Sequence, residues 1–277
     1  HDCGQNRRRD PTGDDVNPLS SPQLTILIPL HRAGPWVWNI TQNLQRFPED
    51  CRVLISDATL KDEAVNWLEE RHAGDSRVQF FRKASDIDWR VHINELLERV
   101  DTEFASILPQ DDAIHAGYYE ALMAALDANP SAGLAFGVID AIHPLSQVPE
   151  RLPSPPFPLG ESPPYVEAIR LDRTWNLGAP WRGVVRRDLL WPTPLIPHDF
   201  ADQIWTFGIA LRAHLVEVPS AIYLKRYHAN CTHLGWKPLN GETREQILRE
   251  TIEHHFADNP DWEHSALEFL RQSKCFA

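Results

Sequence analysis

The sequence is short of positive charge: 27 Lys plus Arg stand against 39 Asp plus Glu, a formal net charge of −12. A free-standing nucleic-acid binder needs a basic footprint to displace counterions from phosphates, so that class is excluded. Cysteine is scarce as well. The four thiols, Cys3, Cys51, Cys231 and Cys275, form no CxxC or CxxH grouping. This spacing excludes a disulfide scaffold and a zinc-finger signature, and fits isolated thiols in a cytoplasmic protein. Long apolar runs are missing too. The longest clean one, Leu24 to Leu30, is core-strand length, far from the ~20 residues of a membrane span, so no integral membrane segment is expected. What the chain does have is apolar mass: 42% of its residues, with 10 Trp, which excludes a disordered protein.

The patterning alternates. Residues 1–22 are polar and read as a solvated N-terminal tail. Leu24 to Ile28 is a short β-branched run closed by Pro29, and so a buried strand. Trp36, Ile40 and Leu44 follow at helical spacing, with Pro35 where a helix starts. Arg52 to Ser56, Val78 to Phe81, Phe104 to Leu108 and Ala132 to Val138 read as further strands. Helical stripes lie between them: Val65 and Leu68, then Trp89 to Val100, then Tyr118, Leu122 and Leu126. Short strands alternating with helices predict an α/β fold over 23–142, a mostly parallel, Rossmann-like sheet flanked by helices.

Prolines at 144, 149, 153, 155, 156, 158, 163 and 164 forbid helix or central strand over 143–165, predicting an extended excursion or a loop over the site. The remainder, 166–277, changes texture, with Trp175, Trp181, Trp191 and Trp205. It contains a helix around Ile204, Phe207, Gly208 and Leu211, and a strand pair around Val216 and Ile222 to Leu224. Helical segments at Glu242 to Phe256 and Trp262 to Leu270 offer a face for a homodimer, and His254-His255 reads as solvated.

In such sheets ligands bind beyond the carboxyl ends of the strands, and Asp57, Asp111 and Asp112 all stand where a strand ends. Adjacent carboxylates there suit a hard divalent cation shared with substrate phosphates, or simply a solvated turn.

An ordered set of landmarks narrows the choice: Leu24 to Arg32, Val53 to Thr59, Asn94, and Phe104 to Asp112. With Trp181 to Asp188 and Asp202 to His228 downstream, this set resembles the family 2 glycosyltransferases, over residues 23 to 233. The resemblance implies a GT-A fold and transfer of one sugar, with inversion, from a nucleotide-diphosphate sugar, a UDP-sugar by preference, to a saccharide or other hydroxyl acceptor. It implies Mn²⁺ or Mg²⁺ on the diphosphate. On the donor side it implies the backbone of Pro29, His31 and Arg32, the carboxylate of Asp57, Asn94, and Asp111 on ribose or metal. Asp112 is implied as metal ligand, with His228 completing that site or touching the diphosphate. Asp202 is implied as the base that deprotonates the acceptor.

The chain departs from the family at Ser56 and Ala201, where acids are usual, at Gln110, where the metal motif often begins with Asp, and at His31, where a tyrosine is common. The Gln-x-x-Arg-Trp motif of processive synthases is absent. Alternatives therefore stay open. Asp202 is also a good helix N-cap, and Asp199 competes with it as base. Trp181 and Trp205 suit either core or sugar stacking, and Arg186-Arg187 either grips phosphate or forms a surface pair. The chain as a whole also reads as a catalytically silent nucleotide-sugar-binding domain, or as a metal-dependent phosphohydrolase built on His198, Asp199 and Asp202.

Overall fold

The computed structural model describes residues 22–59, 62–83, 86–146, 148–154, 160–174, 178–190, 194–196, 198–236 and 240–273. The polar tail short of residue 22, Pro155, Pro156 and Pro158, Trp175 and Trp191, and Cys3 and Cys275 lie outside these residues.

The first half alternates as the hydrophobic pattern predicts: β1 (Leu24–Leu30), α1 (Val37–Leu44), β2 (Arg52–Asp57), α2 (Glu63–Arg71), β3 (Val78–Arg82), α3 (Trp89–Leu97) and β4 (Phe104–Ile107). A two-residue β5 (Ala113–Ile114), α4 (Tyr118–Ala128) and β6 (Ala132–Ile142) follow. The second half contributes β7 (Glu150–Arg151), α5 (Pro164–Thr174), β8 (Val184–Arg186), α6 (Ala201–Arg212), β9 (His214–Arg226), α7 (Gly241–His255) and α8 (Pro260–Ser273).

The strands form one sheet in the order β3-β2-β1-β4-β8-β6-β9-β5, with β7 beside β6. β1 to β4 run parallel, β8 is antiparallel to both β4 and β6, and β9 runs parallel to β6. The chain thus winds outward from β1 to β3 and returns to β4 on the other side of β1. That reversal opens a crevice beyond the carboxyl ends of β1 and β4.

The sequence reading ended the first strand at Pro29, yet β1 continues to Leu30, with Pro29 opposite Ser56. Leu30 bonds toward β2, and Leu27, two residues before Pro29, bonds toward β4. The N–H that proline lacks would therefore face β4, and that strand has already ended at Ile107. No ladder bond is lost.

Both faces of the sheet are buried. Ile26, Ile28, Val53 and Ile55 pack with Ile40, Leu44, Tyr118 and Leu122 on one face. Leu27 and Leu54, one residue out of phase, pack with Ile93, Phe136, Trp181, Trp205 and the α7–α8 residues Leu248, Ile252 and Leu270 on the other. A strand covered on both sides needs apolar residues at every position, hence the unbroken runs.

The expected strand pair near 216–224 is a single strand. Both segments pair with β6, and Val218 and Ile222 stand opposite the adjacent Gly137 and Val138. The residues between them bulge outward instead of turning a hairpin. Gly183 permits the close approach of β8 to β6, where a Cβ would lie 2.1 Å from the Ala135 carbonyl oxygen. In the proline-rich excursion β7 pairs with β6, and Leu152, Pro153 and Ser154 line the crevice; α5 begins at Pro164, inside the 143–165 span where no helix was expected, because a proline fits the first turn of a helix.

Candidate active site

The loops leaving β1 and β4 are joined by side chains where the ladder stops. His31 donates its backbone N–H to Gln110 Oε1 at 3.0 Å, and Gln110 Nε2 donates to the His31 carbonyl at 2.8 Å. Gln110 thus supplies the pair of bonds that a longer β4 would have made, which gives a physical reason for glutamine at a position where the resemblance suggests Asp. Arg32 takes a left-handed φ of 50°, and its N–H bonds Thr59 Oγ1 at 2.7 Å. From α1, Asn39 Nδ2 donates to the carbonyls of Gln110 and Asp112, and Asn43 Nδ2 to that of Asp112 at 3.0 Å. This lattice fixes the loop so tightly that Asp111 and Asp112, adjacent in sequence, point into different surroundings.

Asp112 points inward and is 3% exposed. Its Oδ2 accepts the Tyr223 hydroxyl at 2.8 Å, its Oδ1 accepts the Arg226 N–H at 2.9 Å, and Arg182 Nε stands 3.5 Å away. Burial pushes its carboxyl above the usual range, with Arg182 opposing. The resemblance assigned Asp112 to the metal, but both of its oxygens are engaged by the protein. Burying a carboxylate demands such partners.

Asp111 meets His228 instead. His228 Nε2 lies 2.8 Å from Asp111 Oδ2, and the ring of Trp36 lies 4.8 Å from that of His228. The Asn230 N–H reaches His228 Nδ1 at 3.2 Å, so Nε2 carries the proton directed at Asp111. Cys231 completes the group: one ligand atom from each of Asp111, His228 and Cys231 lies within 4.8 Å of the others. Among the described residues this is the one such trio of His, Cys, Asp or Glu. His198, Asp199 and Asp202 do not gather, and His198 lines a separate cavity beside α7. Sequence reading passed over Cys231 because it looked for paired cysteines, although His-x-x-Cys is a usable spacing.

On the donor side, Asp57 is 1% exposed at the end of β2. Its Oδ1 accepts the Thr59 N–H at 2.9 Å, while its Oδ2 has no hydrogen-bond partner and only the Arg82 guanidinium at 3.6 Å. Burial raises its carboxyl above the ordinary value. Ser56, where the family carries an acid, bonds Nε2 of His92 at 2.8 Å, and burial brings that imidazole down to about 4.

Asn94, by contrast, is taken away from the donor. Its Nδ2 donates to the Leu195 carbonyl at 3.0 Å and its Oδ1 accepts the Leu195 N–H at 2.8 Å. Both ends of the amide are spent on the backbone of one residue, Leu195, so Asn94 anchors the segment before α6. Arg186 and Arg187 are likewise structural, donating to the carbonyls of Leu126, Ala132 and Asp101.

A cavity of about 930 Å³ fills the crevice. Pro29, His31, Ala58 and Asp111 line one side, and Phe200, Asp202 and Gln203 another. Asp202 sits in the first turn of α6 and accepts the Gln203 N–H at 2.9 Å, while the helix cap itself is Phe200, left-handed at φ 64°. Burial lifts the Asp202 carboxyl above its ordinary value, against the pull of Arg182. Lys225 and Arg182 line the same space, and burial lowers the Lys225 ammonium to about 8, with Arg182 adding to the effect. Trp89, Trp181 and Trp236 form an aromatic wall, the first and last stacked at 6.1 Å. Trp181 is 5% exposed and packs on Trp205, so it serves core and cavity at once. Arg182, Tyr223 and Lys225 lie in the segments that carry the resemblance and Trp89 in the third helical stripe, but none of these, nor Trp236, was given a site role from sequence.

No protein-family model matches the chain, and no curated protein sequence matches it. Solved structures do match, and they place the sheet, its switch point and its flanking helices in the GT-A fold of glycosyltransferases. One is TarS of S. aureus, residues 1–349, in complex with UDP-GlcNAc: TM-score 0.65 at 16% identity, covering 92% of this chain and 73% of that one. Another is the mannosyltransferase PcManGT of Pyrobaculum calidifontis with GDP-Man and Mn²⁺: TM-score 0.55 at 15% identity, covering 93% and 76%. A third is GalNAc-T7 with UDP, GalNAc and Mn²⁺: TM-score 0.55 at 14% identity, covering 92% and 55%. Among the described residues no helix is long and apolar enough to cross a membrane.

Proposed function

We propose that the chain is an inverting glycosyltransferase that moves one sugar from a nucleotide-diphosphate sugar to a hydroxyl acceptor. The observation that carries this reading is the shared cavity. Donor-side groups (Pro29, His31 and Asp111) and the half-buried carboxylate of Asp202 line one space. A UDP-sugar is the donor we favour, in keeping with UDP-GlcNAc in the TarS complex. Pro29, His31 and Ala58 line the cavity where the nucleoside would sit, whereas the unpartnered Oδ2 of Asp57 is 1% exposed and would meet a nucleobase N–H only if the end of β2 opens.

The residues present fit a divalent cation, with one correction to the assignment. Asp111 and His228 offer a carboxylate oxygen and an imidazole nitrogen at the cavity edge, a donor set that suits Mn²⁺. Asp112 also lines the cavity, but each of its oxygens already accepts a hydrogen bond from the protein, so we assign it to holding the loop. Asp111 and His228 would together hold the cation; for His228 Nε2 to ligate, its proton would move to Nδ1 and the Asn230 N–H contact there would be given up. The cation would supply Lewis-acid stabilisation of the departing nucleoside diphosphate.

Asp202 accepts the proton of the acceptor hydroxyl. Its upward shift brings its proton affinity closer to what a base needs near neutrality. Arg182 and Lys225 line the same cavity and offset its charge. The aromatic wall suits the apolar face of a saccharide acceptor. A single displacement with base and leaving group on opposite faces inverts the anomeric centre.

A catalytically silent nucleotide-sugar-binding domain is the second reading, because Gln110, at a metal-motif position, has both ends of its amide committed to His31. A thermal-shift screen of nucleotide-sugars with Mn²⁺, followed by assay of nucleotide release over an acceptor panel, separates the two. A donor that shifts the transition and turns over supports transfer, whereas a shift without turnover supports the silent domain. If no nucleotide shifts the transition, both readings fail.

A further inference from the structure

Cys231 belongs to neither of the roles above, yet it lies with both proposed cation ligands. We propose that Cys231 is a third protein ligand of the cation held by Asp111 and His228, and that its sulfur biases the site toward Co²⁺, Zn²⁺ and Cd²⁺ over Mg²⁺. This inference rests on the metal-dependent reading.

Three observations carry it. The first is distance: ligand atoms of the trio lie within 4.8 Å of one another. One ion with bonds of about 2.0 to 2.3 Å spans donor atoms up to roughly twice that apart, so modest inward movement joins all three. The second is the state of the sulfur. Cys231 Sγ accepts the backbone N–H of His228 at 3.2 Å, which orients the sulfur and offsets part of the rise that burial imposes on the thiol, so a cation would have to displace the proton. Its other hydrogen bond, to the Arg226 carbonyl, is a weak contact at 3.7 Å. The third is access. Cys231 and Asp111 both line the donor cavity, so the sulfur faces the place where a cation and a diphosphate would meet.

The turn that presents them is built for the purpose. The Cys231 N–H bonds the His228 carbonyl at 3.1 Å, so residues 228 to 231 close on themselves and bring imidazole and thiol to one side. Mg²⁺ prefers oxygen ligands in a near-ideal octahedron and gains little from sulfur. Zn²⁺ binds thiolate and imidazole readily, as softer ions do. On binding, the sulfur forms a bond to the ion and the thiol proton leaves to solvent.

The test is titration of the metal-free protein with Co²⁺, with and without UDP, for the parent, Cys231→Ser and Cys231→Ala. Folding of each variant is checked by circular dichroism. The parent should develop a near-ultraviolet thiolate-to-cobalt charge-transfer band that both variants lack. In competition, Cd²⁺ affinity should drop about tenfold or more in the variants, while Mg²⁺ affinity stays close to the parent value. Visible Co²⁺ bands without the sulfur band overturn the proposal and leave the metal reading standing. So does a sulfur band that persists in folded Cys231→Ser, since it would come from another thiol. Absence of Co²⁺ binding even with UDP overturns the proposal and the metal reading together.

Discussion

Tyr223 donates its hydroxyl hydrogen to Oδ2 of Asp112 at 2.8 Å, tying β9 to the loop after β4 across 111 positions of sequence. Neither group is exposed, and Arg182 stands beside the same oxygen. The second acid of the doublet is therefore tied into the protein, and the first is the one we propose for the cation.

The two acids should respond differently to substitution. Asp112→Ala strands a buried guanidinium and two hydrogen-bond donors, and should cost about 3 to 5 kcal/mol in urea denaturation. Tyr223→Phe should cost about 1 to 3 kcal/mol. Asp111→Asn, at the cavity edge, should change stability by no more than about 1 kcal/mol while abolishing Mn²⁺ binding measured by electron paramagnetic resonance. Loss of Mn²⁺ from folded Asp112→Asn with retention in Asp111→Asn would reverse this assignment.

Asp202→Asn should lower turnover by about 10² to 10⁴ and leave donor affinity intact. It should also stabilise the fold at neutral pH. Because burial raises the folded-state pKa, the charged carboxylate is a cost present above that raised value, and the cost disappears as pH falls toward the unfolded value. The melting temperature of the variant should therefore exceed that of the parent near neutrality and converge with it in acid. A constant difference across pH would contradict the burial argument.

Asn94→Ala should destabilise by about 1 to 3 kcal/mol through loss of its two bonds to Leu195, with donor affinity of the folded protein unchanged. Isothermal titration with UDP checks this. A selective loss of nucleotide binding would return Asn94 to the donor site.

Acid should destabilise the chain through two histidines. Burial lowers His92 from 6.5 to about 4 and His255 from 6.5 to about 3. The unfolded chain takes up protons that the folded chain refuses. Their stabilising contribution is therefore fully present above 6.5 and is lost as pH falls from there through about 4 and 3. His255→Gln should flatten the decline of urea midpoints with pH, and a slope identical to the parent's would rule His255 out as a contributor. From sequence, His255 read as solvated; it is half-buried, with Nδ1 unpartnered, because α7 packs that side toward the core.

The α/β alternation was legible because it is local. Strands covered on both faces must be apolar throughout, and helices covered on one face must carry a stripe, so Leu24 to Leu30 and Trp89 to Leu97 declare themselves. Pro29 misled the boundary because a proline stops a strand only where a neighbour needs its N–H, and the length of β4 is not written near residue 29. The bulge in β9 was hidden for a similar reason: Val216 and Ile222 look like two strands until both pair with β6.

From sequence alone, the order of landmarks determined the fold class, and Asp57, Asp111, Asp112 and Asp202 at element ends marked a candidate region for the site. It did not decide between neighbours. Both Asp111 and Asp112 line the cavity, and which of them is also tied down by buried partners depends on the loop angle, set by Asn39, Asn43 and His31, roughly 70 to 80 positions earlier. Asn94 was drawn off by a peptide 101 positions away, and Cys231 gained a role only by meeting Asp111. Periodicity records which face of an element is buried. The partner of a buried polar atom is decided by packing between distant segments, and only the tertiary structure contains that.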